Sequence, residues 1–207
     1  MMIRHILPHY LMILVLFFLA GCTTYNPEDT EYLNAIAEER RTKDLNFRTA
    51  EHSPLKPEMK NDFKGLNYFP ASVDWRFEGK LVLNESTVID TILGTKAKDK
   101  RPAKRHGWFK FSKNGKDMSL LVYKMLRSKS GYEDYLFLGF TDKTSGDESY
   151  PAGRYIDLVK NDNNFYVVDF NKAYNPYCAY NAKFSCAIPP LENDLPIAVT
   201  AGEKVFK

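Results

Sequence analysis

SVDWRFEGKLVL, residues 72–83, decides the class of fold. Val73, Trp75, Phe77, Gly79, Leu81 and Leu83 fall on one side of a period of two, and Asp74, Arg76, Glu78 and Lys80 on the other. Such alternation belongs to a strand with one face on a core and the other in water. Working outward, residues 86–93, 107–112, 118–126, 135–140, 155–159, 165–170 and 197–201 are further strand candidates. Asn114-Gly115, Ser130-Gly131 and the run NDNN at 161–164 separate several of them as turns. Closely spaced strands with no helical periodicity between them predict a mainly β fold, an antiparallel barrel or sandwich of about eight strands.

One helix is expected ahead of the strands. Asn26 suits its N-cap, Pro27 its first position, and Glu28 and Asp29 its positive end. Tyr32, Leu33, Ile36, Ala37 and Arg40 recur at helical spacing, and the basic residues up to Lys43 suit a C-terminus. Residues 45–60, with Pro54 and Pro57, read as a connecting loop, and the helix as a spacer packing lightly on the domain.

Before that helix, Arg4 and His5 precede an apolar run at 10–20, too short to span a bilayer but suited to an export signal. The run ends in Leu19-Ala20-Gly21-Cys22, which resembles a bacterial lipobox. There the cysteine thiol takes a diacylglyceryl group before cleavage. The organisation expected is a lipoprotein signal at 1–21, a lipidated tether at 22–26, helix and loop at 27–60, and one β-rich domain at 61–207. Cys22 would hold the protein to a membrane, the outer one in a two-membrane cell because Thr23 follows the cysteine.

Removing residues 1–21 takes only Arg4 from the 29 Lys and Arg, so the mature chain carries 28 cations against 26 acids, a net charge of +2. That balance lacks the basic face of a nucleic-acid binder. It leaves two histidines, His52 and His106, and besides Cys22 two cysteines, Cys178 and Cys186. Their spacing is not the C-x-x-C of a redox enzyme, and a four-ligand zinc site is not in view, so neither metal nor cofactor is assigned. In an oxidising compartment the pair predicts a disulfide. Two free thiols would instead favour an enzyme or a metal site. No G-x-S-x-G hydrolase signature is present.

Two irregular stretches hold the candidate site. FTDKTSGDESYPAGRY, residues 140–155, supplies Asp142, Thr144, Tyr150 and Arg154 around Gly146, Pro151 and Gly153. Arg154 would clamp a small anionic ligand bidentately, or pair with a buried acid such as Asp169. DFNKAYNPYCAYNAKFSCAIPP, residues 169–190, supplies Asp169, Asn171, Asn175, Cys178 and Cys186. Asp169 ends an apolar strand, where a carboxylate requires a partner. The basic run KAKDKRPAKR at 96–105 reads as a solvated loop between strands.

FKGLNYFP, FTDKTSGDESYPAGRYIDL, VVDFNKAYNPYCAY, SCAIPPLEN and AGEKVF together resemble the bacterial and archaeal family known as domain of unknown function 1684. The resemblance covers residues 63–206 and adds Tyr180, Glu192 and Asn193 to the marked positions. It implies no activity. The expected function is a membrane-anchored envelope lipoprotein acting as a ligand-binding or structural module. The alternative is an envelope enzyme using Asp169 or Cys178 on a substrate held by Arg154.

Substituting Cys22→Ser should move the protein from the membrane to the soluble fraction. A variant that stays as firmly bound as the wild type would refute lipidation at this residue.

Overall fold

The computed structural model describes residues 26–126 and 130–206. The expected signal segment, Cys22 and the expected tether up to residue 25 lie outside the described residues. Seven strands follow the N-terminal helices: β1 (Arg76–Leu83), β2 (Ile89–Leu93), β3 (Lys100–Lys113), β4 (Lys116–Met125), β5 (Tyr135–Phe140), β6 (Arg154–Val159) and β7 (Phe165–Asp169). All pair antiparallel, in the order β6-β5-β4-β3-β1-β7, with β2 also on β3. The sheet curls into a nearly closed barrel.

Period-two alternation fills the barrel. Trp75, Leu81, Phe109, Phe111, Leu120, Val122, Leu136, Leu138, Ile156, Leu158 and Val168 belong to one buried cluster, with Phe77 packed against it. Residues between them form a second cluster on the outer face of the sheet, built from Ile92, Ala103, Leu121, Tyr123, Phe137 and Tyr155. Both faces of β4 to β6 are therefore apolar, and the segment 174–190 covers the outer one. The alternation in β1 ends before the sequence pattern does, since Val82 and Leu83 are both exposed where the strand leaves the core.

Three expectations are corrected. First, the loop expected at 96–105 is largely strand: Lys100 to Lys104 pair with β2, and a bulge between Arg105 and Gly107 passes β3 on to β1. Its two arginines are paired along the strand, Arg101 with Asp99 at 2.8 Å and Arg105 with Asp90 at 2.6 Å, while Lys100 and Lys104 stay exposed. Second, residues 197–201 are not a strand. Their carbonyls go elsewhere, that of Ile197 to Lys143 N–H and those of Val199 and Ala201 to a side chain described below.

Third, helix α1 (Pro27–Thr49) outruns its expected end and is no light spacer. Its N-terminus is as read, with Asn26 accepting the Asp29 N–H at 2.7 Å. Nothing between Thr42 and Thr49 breaks a helix, and Phe47 carries the buried face into a third cluster with Leu55, Phe63 and Tyr180. Polar contacts tie the same face to the domain. Tyr32 donates to Asp169 at 2.8 Å, Arg40 to the Phe69 carbonyl at 3.0 Å, and Asp44 accepts from Leu66 N–H at 3.0 Å. A one-turn helix, α2 (Pro57–Lys60), interrupts the expected loop.

Candidate functional site

Arg154 is the first residue of β6 and falls in register with Ile156 and Leu158, on the inward face. Its side chain and that of Asp142 are both 0 % exposed, and Arg154 Nη2 meets Asp142 Oδ2 at 2.7 Å. The expected partner was Asp169; the structure replaces it with Asp142. Nη2 also donates to the Val199 carbonyl at 2.9 Å, and Nη1 to the carbonyls of Ala201 at 2.5 Å and Glu203 at 3.2 Å. The guanidinium carbon stands 5.5 Å from the Phe69 ring centroid and 5.3 Å from that of Phe140. Burial pulls the Arg154 pKa down, and Asp142 opposes it. Asp142 Oδ1 in turn accepts the N–H groups of Thr144 at 2.8 Å and Val199 at 3.1 Å. Gly153, at φ 86°, lets the chain turn into β6 against the Phe140 carbonyl, where a Cβ would collide. The site expected around Asp142, Thr144 and Arg154 is thus a clamp holding residues 199–203, and it presents no face to a ligand.

The other predicted residues separate into local clusters. Asp169 is buried, with Oδ1 taken by Asn171 N–H at 3.0 Å and Oδ2 by Tyr32; Asn171 donates onward to the Ser72 carbonyl at 2.8 Å. Both carboxylate oxygens are therefore engaged within the protein. Asn175 N–H and the Tyr180 hydroxyl both donate to buried Glu203, whose other oxygen meets Lys43 Nζ at 2.6 Å. Asn193, fully buried, bonds the backbone of Leu121 and the Gly139 carbonyl, tying the barrel wall to the C-terminal segment. Glu192 pairs with Arg105 at 3.0 Å.

The structure does not show the expected disulfide: Cys178 and Cys186 are unbridged, and they are neighbours. The Cys178 N–H donates to Cys186 Sγ at 3.0 Å, and the Tyr150 hydroxyl approaches Cys178 Sγ at 3.6 Å. Hydrogen bonding from Cys186 holds the Cys178 thiol down to about 6, helped by Tyr150 and opposed by burial. Cys186 moves up, because its proton serves the neighbouring sulfur and because it is buried.

Cys186 also borders a cavity of about 660 Å³ that composition and motif did not single out. It lies between the outer face of the barrel, the end of α1 and the covering segment. Tyr135, Phe137, Tyr155 and Asp157 enter it from β5 and β6, and Tyr174 and Phe184 from the cover. Asp157 Oδ1 accepts the hydroxyls of Tyr174 at 2.6 Å and Tyr135 at 3.0 Å. Burial raises the pKa of both phenols, with the Asp157 charge adding to it, so they remain donors. Arg101, on the same wall, is forked onto Asp99 and bonds the Ser185 carbonyl at 2.7 Å. The missed signal was the outward half of the alternation: Tyr135, Phe137, Tyr155 and Asp157 share one face of two paired strands. Among the described residues no group of three or more His, Cys, Asp or Glu is placed to hold a metal ion.

A volume of this size lies in the range of small-molecule sites, which are lined mostly by apolar and aromatic groups with a few placed polar ones. The family described as Protein of unknown function (DUF1684) matches residues 61–204. No curated protein matches the chain. The fold is similar to the solution NMR structure of an uncharacterized protein of Haloarcula marismortui, with a TM-score of 0.63 and 35% identity, covering 86% of this chain and 96% of that one.

Removing either charge of the Arg154–Asp142 pair, as Arg154→Met or Asp142→Asn, should destabilise by about 3–5 kcal/mol in urea unfolding. The double variant should lose less than the sum, whereas losses at Arg154 and Asp169 should add. Additivity at Arg154 and Asp142 would show that the pair contributes no coupling.

Proposed function

We propose, for a chain that belongs to the family described as Protein of unknown function (DUF1684), a role as a lipid-anchored ligand-binding module of the bacterial envelope. The observation that carries the binding part is the aromatic cavity on the outer face of the barrel. A core side chain is usually surrounded by close-packed neighbours, and voids larger than a water molecule are few in a domain. A cavity of about 660 Å³ beside a carboxylate held by two phenols offers a ligand both apolar surface and an orienting polar group. The lipobox-like Leu19-Ala20-Gly21-Cys22 supports the anchoring part. Arg154, buried and held by Asp142 and by three backbone carbonyls, argues against the anion clamp as the basis of recognition.

The thiol pair favours a second reading, in which Cys178 is a nucleophile. A lowered thiol pKa raises the thiolate fraction at neutral pH, which is what alkylation and thiol chemistry require. The expected outcome is iodoacetamide modification of Cys178 with a pH midpoint near about 6. A midpoint in the ordinary range of about 8.5 would remove this reading.

Binding itself is tested by titrating isotopically labelled protein with small aromatic fragments, among them phenol, benzylamine and benzoate. Shifts concentrated at Phe137, Tyr155, Tyr174 and Ala187 support the cavity as the site. No saturable shift with any fragment, or shifts confined to other surfaces, would refute it.

A further inference from the structure

The charges around the cavity specify its ligand further, on the premise that it is a binding site. Its lining includes three Lys, Arg or Asp side chains, Lys43, Arg101 and Asp157, besides His52. Lys43 is already met by Glu203 at 2.6 Å, and Arg101 by Asp99 at 2.8 Å. Asp157 is different. Among the described residues its side-chain partners are two neutral phenols, both on the same oxygen, Oδ1. Hydrogen bonds from phenols orient a carboxylate without neutralising it. The cavity therefore holds two paired cations and one carboxylate that still carries its charge.

Tyr135 and Tyr174 meet that carboxylate, and the rings of Tyr132, Tyr177, Phe137 and Phe184 line the same cavity. Aromatic faces are electron-rich and attract ammonium groups. One ring of this wall does so already, with Lys43 Nζ 4.7 Å from the Tyr174 centroid. We infer that the cavity takes an organic cation, an amine or quaternary ammonium whose charge faces Asp157 and whose carbon skeleton lies on the tyrosine and phenylalanine rings.

Three physical comparisons narrow the class. Asp157 is solvent-exposed, and an exposed ion pair alone contributes little, so a bare inorganic cation would gain little here. A hard divalent ion needs several oxygen ligands, whereas one unshared carboxylate oxygen is offered. An anion would meet Arg101 and Lys43 only by competing with Asp99 and Glu203 for them, and would face Asp157 besides. An organic cation uses both the charge and the rings.

The test titrates the full chain with choline, its uncharged tert-butyl analogue and benzoate, reading the resonances of Tyr135, Phe137 and Tyr174. Choline should bind at least about tenfold more tightly than the neutral analogue, a difference set by the charge. Asp157→Asn keeps an oxygen for the two phenols, so it should preserve the fold and the weak binding of the analogue while erasing the choline preference. Equal affinity for choline and analogue, or tighter binding of benzoate, overturns the organic-cation inference and leaves the cavity standing as a site. So does a choline preference that survives Asp157→Asn. Absence of shifts with all three probes also overturns it, and the aromatic fragments then decide separately whether the cavity binds anything.

Discussion

Arg154 occupies a position that alternation would give to an aliphatic side chain, and a guanidinium there must find acceptors or the barrel cannot close. Removing a charge from water costs several kcal/mol even after relaxation, on the order of what a whole domain has in reserve. The chain meets that cost with Asp142 and with three carbonyls of residues 199–203. Those carbonyls are available because the segment forms no ladder of its own. The same segment carries Glu203, which fixes Asn175, Tyr180 and Lys43, and Gly202, whose carbonyl accepts from Phe69 N–H at 2.9 Å. Helix α1, the Phe69 stretch, the β5–β6 loop and the C-terminus are thereby referred to one ion pair.

This dependence explains why the barrel was legible in the sequence and its closing pieces were not. Strand faces follow from a local period, and SVDWRFEGKLVL gave Trp75, Phe77 and Leu81 their side without knowledge of any partner. Residues 197–201 have the β-branched, apolar character of a strand, but their carbonyls are claimed by a side chain 45 residues away, at Arg154. No local pattern carries that information. Lys100 to Arg105 failed in the opposite direction: a dense run of charge reads as a loop, yet it forms a strand in which Asp90 and Asp99 pair the two arginines and the lysines stay exposed. The helix end was missed for a simpler reason, since a basic turn at Arg40 to Lys43 marks a favourable terminus without supplying a stop.

Candidate site residues show the same limit more sharply. Composition rightly marked 140–155 and 169–190 as the irregular parts of the chain, and they do come together. A polar residue in a Gly- and Pro-rich loop is equally suited to a ligand and to a buried backbone carbonyl, and only the fold decides between them. Asp142, Arg154, Asp169, Asn171 and Asn193 are all buried and engaged by the protein itself. The marked segments matter to the cavity through what they position, rather than through the polar groups that drew attention to them.

The cover from Tyr174 to Ala187 shows how such a cavity can persist. Its ends are pinned by backbone exchange between Tyr155 and Tyr174, at 2.9 and 3.0 Å, and by the bridge from Gly94 to Ala187. Arg101 holds the Ser185 carbonyl, and the Tyr155 hydroxyl holds that of Ala187. Between those anchors the segment has tyrosines, asparagines and a lysine and no Val, Leu, Ile or Met. A phenol or amide group laid on the outer face of β5 and β6 would lose water unless it gained a partner there, and Asn175 and Tyr180 find theirs at Lys204 and Glu203. Tyr174 resolves the conflict for itself by bonding Asp157, and that bond stands the ring up as a wall. Fixed ends and aromatic walls leave space over the sheet, with a charged carboxylate at its side.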